Sequence, residues 1–357
     1  MKTIGLLGGM SWESTVPYYR LINEAVKARL GGLHSAKLIL YSVDFHEVER
    51  LQQAGDWEAA GTLLAGTARS LEAAGADFLV LCTNTMHKVA DRIETAVTIP
   101  LLHIVDPTAV AIKRAGHTTV GLLGTRFTME QAFYRERLRE RHGLQVLVPE
   151  PADREALHRI IFEELCLGVI RPEARSLFRG IMARLAAQGA EAIILGCTEI
   201  SLLVSQEDSK VPLFDTTALH AQAAAEAALA ASPLASWHQL VQGRSMKGLD
   251  SLLSEQVVFH SPVVHTPQVG KAVTTQYLAA AFQVFFNDSF RYTRELEGAR
   301  DAVLEFQVEI EGISVNGVDM LRWDDDGKIV EFKVMLRPLK AINLIHQKMA
   351  AMLQAGR

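Results

Sequence analysis

Cysteine is scarce in this chain of 357 residues, which has only Cys82, Cys166 and Cys197. So odd and sparse a count excludes a disulfide framework and fits a reducing compartment. Long apolar runs are missing as well. No stretch approaches the ~20 apolar residues of a membrane span. The opening MKTIGLLGGMSWE reaches Trp12 and Glu13 before its apolar run is long enough for a signal-peptide core. A cytoplasmic protein with no membrane partner is the expectation. There is no basic stripe, and a net charge of −5 with 22% charged residues makes nucleic acid a poor partner. Zinc spacing is lacking, since no second ligand pair follows Cys82 and His87. The glycine-rich GLLGGM is not the G-x-G-x-x-G of a nucleotide cradle. Neither metal nor cofactor is expected.

What is present is size, a core and a repeat. The length exceeds one typical domain, so two are expected, and 49% apolar residues supply a large core. TIGLLGG at 3–9 recurs as TVGLLGT at 119–125, and GADFLVLCTNT at 75–85 recurs as GAEAIILGCTE at 189–199. The offsets, 116 and 114 residues, are nearly equal, which points to two similar lobes. Each landmark is an apolar run ending in small or polar residues, as a buried parallel strand entering a ligand-facing loop would read. Between them, 56–76 and 173–192 carry apolar residues at helical spacing. The alternation predicts an α/β fold with parallel sheets.

The repeat also sorts the adjacent pair Cys82 and Thr83. Aligning Gly75 with Gly189 sets Thr83 opposite Cys197 and leaves Cys82 one step away. Successive strand side chains point to opposite faces, so Cys82 is expected in the core. Strand C-termini of open α/β sheets face the ligand crevice. Thr83 and Cys197 would then meet across a cleft between the lobes. Inverting a carbon stereocentre by proton transfer needs a base on one face and an acid on the other, and a thiolate can serve once its pKa is lowered.

GLLGGMSWEST at 5–15, CTNTMH at 82–87, LLGTRFTMEQAFY at 122–134 and GCTEI at 196–200 together resemble the aspartate/glutamate racemase family over about residues 1–230. The resemblance implies a cofactor-independent amino-acid racemase of two pseudo-symmetric α/β lobes, with an amino acid as its small-molecule partner; the sequence leaves the oligomer open, a homodimer being one candidate. Its two-cysteine acid/base pair maps onto Cys197 and, in place of the first-lobe cysteine, Thr83, as in a Thr/Cys subset of the family. A hydroxyl is a far weaker acid than a thiol. Substrate contacts carry over to Met10, Thr15, Asn84, Thr85, Thr125, Thr128, Thr198 and Glu199, as preorganised donors for the α-carboxylate, with Glu199 orienting Cys197 or taking the ammonium. Aspartate-selective members are expected to carry an Arg near 44–50 and a Lys matching 163–168. Here Cys166 stands at the Lys position and Arg50 is the nearby cation, which leaves neutral or broad substrates open. Two rival activities are a single-thiol lyase or decarboxylase and a noncatalytic amino-acid sensor.

Structural readings stand beside these. Cys166 sits on an amphipathic pattern as core or wall, and His87 could assist acid/base chemistry, although a His opening a helix is more readily a surface or capping residue. After SPLAS at 232–236, read as a linker between domains 1–231 and 237–357, the rhythm changes. Two helical patterns precede an alternating stretch, with Asp326-Gly327 as a hairpin turn. The segment GVDMLRW…DGKIVEFKVMLRP resembles the cone-shaped α+β SnoaL-like superfamily. His260, Asp319 and Arg337 are candidate polar residues of its hollow face, with core edge or sheet surface the readier account of each.

Overall fold

The sequence repeat becomes two matching sheets in the structure, a computed structural model that describes residues 1–230, 233–244, 246–298, 300–324 and 326–355. Strands β1 (Ile4–Gly8), β2 (Leu38–Ser42), β3 (Phe78–Leu81) and β4 (Leu101–Leu102) form a parallel sheet in the order β2-β1-β3-β4. Strands β5 (Thr119–Gly124), β6 (Gln145–Leu147), β7 (Ala192–Gly196) and β8 (Leu213–Asp215) repeat it as β6-β5-β7-β8. Register repeats with order. Ile4 pairs with Phe78 and Val120 with Ala192, the same offsets that separate the sequence landmarks.

Every residue of β1, β3 and β7 is buried, because helices cover both sheet faces. The helix Trp57–Ala73 starts where Asp56 accepts the Ala59 N–H, and the helix Pro172–Ala187 begins on a proline whose missing N–H costs nothing there. Each packs its apolar stripe into the core of its own lobe. The helix Thr216–Leu229 does something else. Its Ala221, Ala224, Ala225 and Ala228 pack with Tyr18, Ile22 and Val26 of the helix Trp12–Leu30, against the first lobe's sheet. Small side chains let the last helix of lobe two close on lobe one.

The chain divides into compact units Met1–Ala230 and Ala231–Arg357. The linker reading of 232–236 is thereby corrected: residues 231 and 232 lie outside the described residues, while 233–236 open the helix Pro233–Gln242, whose Trp237 is in the second unit's core. The driving force is burial of that indole. The second unit is an α+β fold. Strands β9 (Leu253–His260), β10 (Gln268–Val269), β11 (Arg291–Glu297), β12 (Asp301–Ile310), β13 (Ile313–Trp323) and β14 (Ile329–Arg337) run β10-β9-β14-β13-β12-β11, antiparallel except for the β9–β14 pair. Strand β12 buries alternate residues, as its sequence pattern requires, and Gly327 takes a left-handed φ of 72° in the turn between β13 and β14.

Candidate active site

Both sheets of the first unit aim strand C-termini at one internal cavity of about 20 Å³. Its wall includes Met10, Thr83, Asn84, Thr85, Thr125, Cys197 and Glu199, so seven of the expected site residues meet there, supplied by both lobes. Close backbone approach shapes the β1 end. Gly9 sits at φ 93°, and a Cβ added to it would lie 2.4 Å from the Val43 carbonyl oxygen, so only glycine fits.

Three expected contacts brace this wall from behind. The Thr15 hydroxyl accepts the Gly9 N–H at 2.9 Å and donates to the Ser11 carbonyl at 2.8 Å. Thr128 lies within 3.4 Å of the hydroxyls of Thr85 and Thr125, which are themselves 3.0 Å apart across the lobes. Thr198 donates to Glu199 Oε2 at 2.8 Å. Asn84 is also held at both ends of its amide, donating to Thr216 at 3.0 Å and accepting from Tyr134 at 3.0 Å.

Electrostatically the site turns on Glu199, a 2% exposed carboxylate. Ser11 reaches its Oε1 from lobe one through both N–H (3.2 Å) and hydroxyl (2.9 Å). Its Oε2 accepts from Thr198 and from the Cys197 thiol at 3.0 Å. Four neutral donors thus offset the cost of burying the charge. Burial, the Glu199 charge and Cys166 push the Cys197 thiol well above its usual pKa. The resting site therefore holds a protonated thiol aimed at a carboxylate. Cys82 faces away into the core formed by Ile4, Leu6 and Tyr18, as its place in the repeat predicts. Burial raises its pKa too.

His87 departs from the sequence reading. It is 3% exposed, not on the surface. Its Nδ1–H donates to the Thr83 carbonyl at 2.7 Å and its Nε2 accepts the Ile104 N–H at 3.2 Å, which holds the Thr83 backbone in place. With both ring nitrogens engaged, it stays neutral; burial and neighbouring His103 and His220 lower its pKa well below the usual value.

Phe45, Gln52, Ile161 and Phe162 also line the cavity beside Cys166, with no local signature to single them out. Phe45 of lobe one and Phe162 of lobe two stack across the cleft, centroids 6.2 Å apart and planes 17° apart. Phe45, Phe162 and Cys166 also line an outer cavity of about 660 Å³, so this trio divides the inner space from the mouth. Arg126, Arg159 and His158 with Glu49, Glu155 and Glu163 surround that mouth. Arg50 is exposed on the helix Phe45–Ala54 and absent from the inner wall. Proximity of this helix to the strand ends is a tertiary fact with no local signature.

In the second unit, Asp319 is 6% exposed and faces an aromatic-walled cavity of about 30 Å³. It accepts from the Tyr292 hydroxyl at 3.1 Å, which in turn accepts from the Trp237 indole N–H at 2.9 Å. Burial pushes its carboxyl up to about 7. His260 instead pairs with Glu331 at 3.1 Å, and Arg337 donates to Asn316 on the exposed surface.

Known proteins show the same division. Residues 7–224 match the family described as Asp/Glu/Hydantoin racemase, and residues 234–332 match the SnoaL-like domain. A crystal structure of a candidate Asp/Glu racemase from Yersinia pestis is 63% identical, covering 64% of this chain and 100% of its own, with a TM-score of 0.61. An aspartate racemase homologue from Pyrococcus horikoshii is 37% identical over 64% of this chain and 99% of its own, TM-score 0.56. The broad specificity amino-acid racemase RacX of Bacillus subtilis is 25% identical over 236 residues, 64% of this chain and 98% of RacX.

Proposed function

The chain belongs to the Asp/Glu/Hydantoin racemase family, and from that premise we propose that its first unit inverts α-amino acids by proton transfer at Cα, with Cys197 and Thr83 as the unequal groups on the two faces. The observation that carries this reading is the shared cavity, in which a thiol and a hydroxyl from equivalent strand ends of the two lobes face the same space. Proton accounting starts from the protonated thiol. Its proton passes to Glu199 Oε2, 3.0 Å away, and the thiolate so formed takes the substrate's Cα proton. Charge moves within the pair and is not added to the buried site. Donors around Asn84, Thr85 and Thr125 hold the carboxylate and spread the developing enolate charge. Thr83, or a water it holds, returns a proton on the opposite face, and the proton parked on Glu199 then replaces the one given up there, which restores the carboxylate, the thiol and the hydroxyl.

Neither metal nor pyridoxal phosphate enters these steps, so dialysis against a chelator should leave the rate unchanged. Three free thiols among the described residues fit a reducing cytoplasm, where we place the protein. No helix among the described residues is long and apolar enough to cross a membrane. The assembly we propose is a homodimer, which light scattering would check.

Racemisation has an equilibrium constant of one, so kcat/KM must be equal in the two directions and a missing thiol cannot make the reaction one-way. It can slow reprotonation on the Thr83 face. In deuterium oxide, an L-substrate should take up label at Cα with retention faster than it inverts. Cys197→Ala should abolish both processes, and Thr83→Cys should bring inversion towards the exchange rate. Persistent exchange in Cys197→Ala would sink the assignment.

A further inference from the structure

Gln52 carries an unexplained buried group. The residue is 3% exposed and lines the inner cavity, and its Oε1 has no hydrogen-bond partner. A buried amide oxygen left unpaired keeps the full penalty of leaving water, so its place on a cavity wall points to an occupant that donates to it. The amide cannot simply be turned round. Its Nε2 donates to the Met86 thioether sulfur at 2.9 Å, and a thioether has lone pairs but no proton. Reversal would set the oxygen against the sulfur, acceptor to acceptor.

An amino acid offers one group that only donates, its α-ammonium, and one that only accepts, its carboxylate. Glu199, the carboxylate of the wall, already accepts hydrogen bonds from Ser11, Cys197 and Thr198 on its two oxygens. The other polar wall groups, Thr83, Asn84, Thr85 and Thr125, each carry a donor that suits the carboxylate. We propose that Gln52 Oε1 accepts a hydrogen bond from the substrate's α-ammonium, making Gln52 a substrate-positioning residue of this site. This rests on the racemase reading and adds the residue that sets which way round the amino acid lies. With the ammonium on Gln52 and the carboxylate on the hydroxyl cluster, the remaining freedom about Cα is a choice between presenting its hydrogen to Cys197 or to Thr83. Gln52 lies on the helix Phe45–Ala54, one end of which carries the ring that stacks on Phe162. Holding the ammonium would therefore also hold that helix against the cleft.

The test compares amino acids with partners that lack only the amine: L-aspartate against succinate, and L-2-aminobutyrate against butyrate. Binding is measured by calorimetry on the full chain, and Cα exchange by deuterium uptake. Gln52→Leu removes both the amide oxygen and the Nε2 contact to Met86 and leaves a branched apolar side chain in their place. It should weaken the amino acid of a pair by about 10-fold or more, the scale of a hydrogen bond to a charged group, while its deamino partner changes less than about 2-fold. Gln52→Glu, which restores an acceptor, should recover amino-acid binding. Equal weakening of both members of a pair would mean a structural role and overturn the proposal, as would unchanged amino-acid affinity. If wild type exchanges Cα protons yet Gln52→Leu shows no selective loss, this assignment alone fails. If wild type neither binds nor exchanges any amino acid, the racemase reading fails with it.

Discussion

At the scale of single residues, the resting thiol is the feature with the most direct consequence. Burial and the Glu199 charge hold Cys197 protonated far into the alkaline range, so a mechanism that lost this proton to water would speed up steadily as pH rose. Passing the proton to Glu199 keeps one proton within the pair, and the reactive arrangement is then a fixed fraction of it. The exchange rate should accordingly be flat between about pH 6.5 and 8 in the wild type. Glu199→Gln removes the acceptor, and exchange should fall by about 100-fold or more, within the range for acid–base assistance, and then climb with pH. A wild-type rate that rises tenfold per pH unit would contradict transfer to Glu199. His87 belongs to this scale in a quieter way: its two ring bonds hold the Thr83 carbonyl and the Ile104 N–H, so its task is placement, without titration near neutrality.

At the scale of elements, the ends of strands matter more than their interiors. The turn after β1 brings Met10 to the cavity wall and Ser11 to Glu199 because Gly9 adopts φ 93° against the Val43 backbone. Gly9→Ala meets two penalties together, a left-handed backbone and a Cβ 2.4 Å from a carbonyl oxygen. Destabilisation of about 2–4 kcal/mol is expected in a denaturant titration, with Cα exchange lost at temperatures where the variant remains folded. An alanine variant of wild-type stability and activity would show that this turn does not set the site. By contrast, the glycines at Gly31 and Gly55 have open space around them and end helices, so they shape no pocket.

At the scale of the whole molecule, two units with separate cores predict separable behaviour. A chain ending at Ala230 should fold and retain its Cα exchange; insolubility, or inactivity beside an active full-length protein, would mean the second unit completes the site. The second unit should also carry its own pH signature. Asp319 has a carboxyl raised to about 7 when folded, so the native state holds its proton more tightly than the unfolded chain. Its contribution to stability is complete below the unfolded pKa of about 3.9 and is lost as pH rises to about 7, a swing of at most about 4 kcal/mol. Asp319→Asn should therefore gain stability relative to wild type as pH rises from about 4 to 7, and the gap should stay constant above that. A gap that does not move with pH would show that Asp319 is ionised in the folded protein.

Much of this was written in local pattern. The repeat at offsets 116 and 114 is visible because each lobe needs the same buried strand, and it carries the ladder register with it, down to Cys82 in the core and Thr83 level with Cys197. Alternation in β12 and helical spacing over 57–73 were legible for the same reason: burial on one face imposes a period on the chain. What sequence could not say is which side chains from distant segments would share a space. Gln52, Phe45 and Phe162 sit on helices whose stripes look ordinary, and they become cavity walls only when the lobes close on each other. His87 looked exposed because nothing local announces a carbonyl and an N–H waiting on either side of its ring. SPLAS read as a linker because local turn propensity cannot weigh the burial of Trp237 downstream, which draws 233–236 into a helix. Periodicity is a property of one segment against an averaged interior, so the sequence alone determines it. A site is a set of contacts between segments, and only the packed fold decides those.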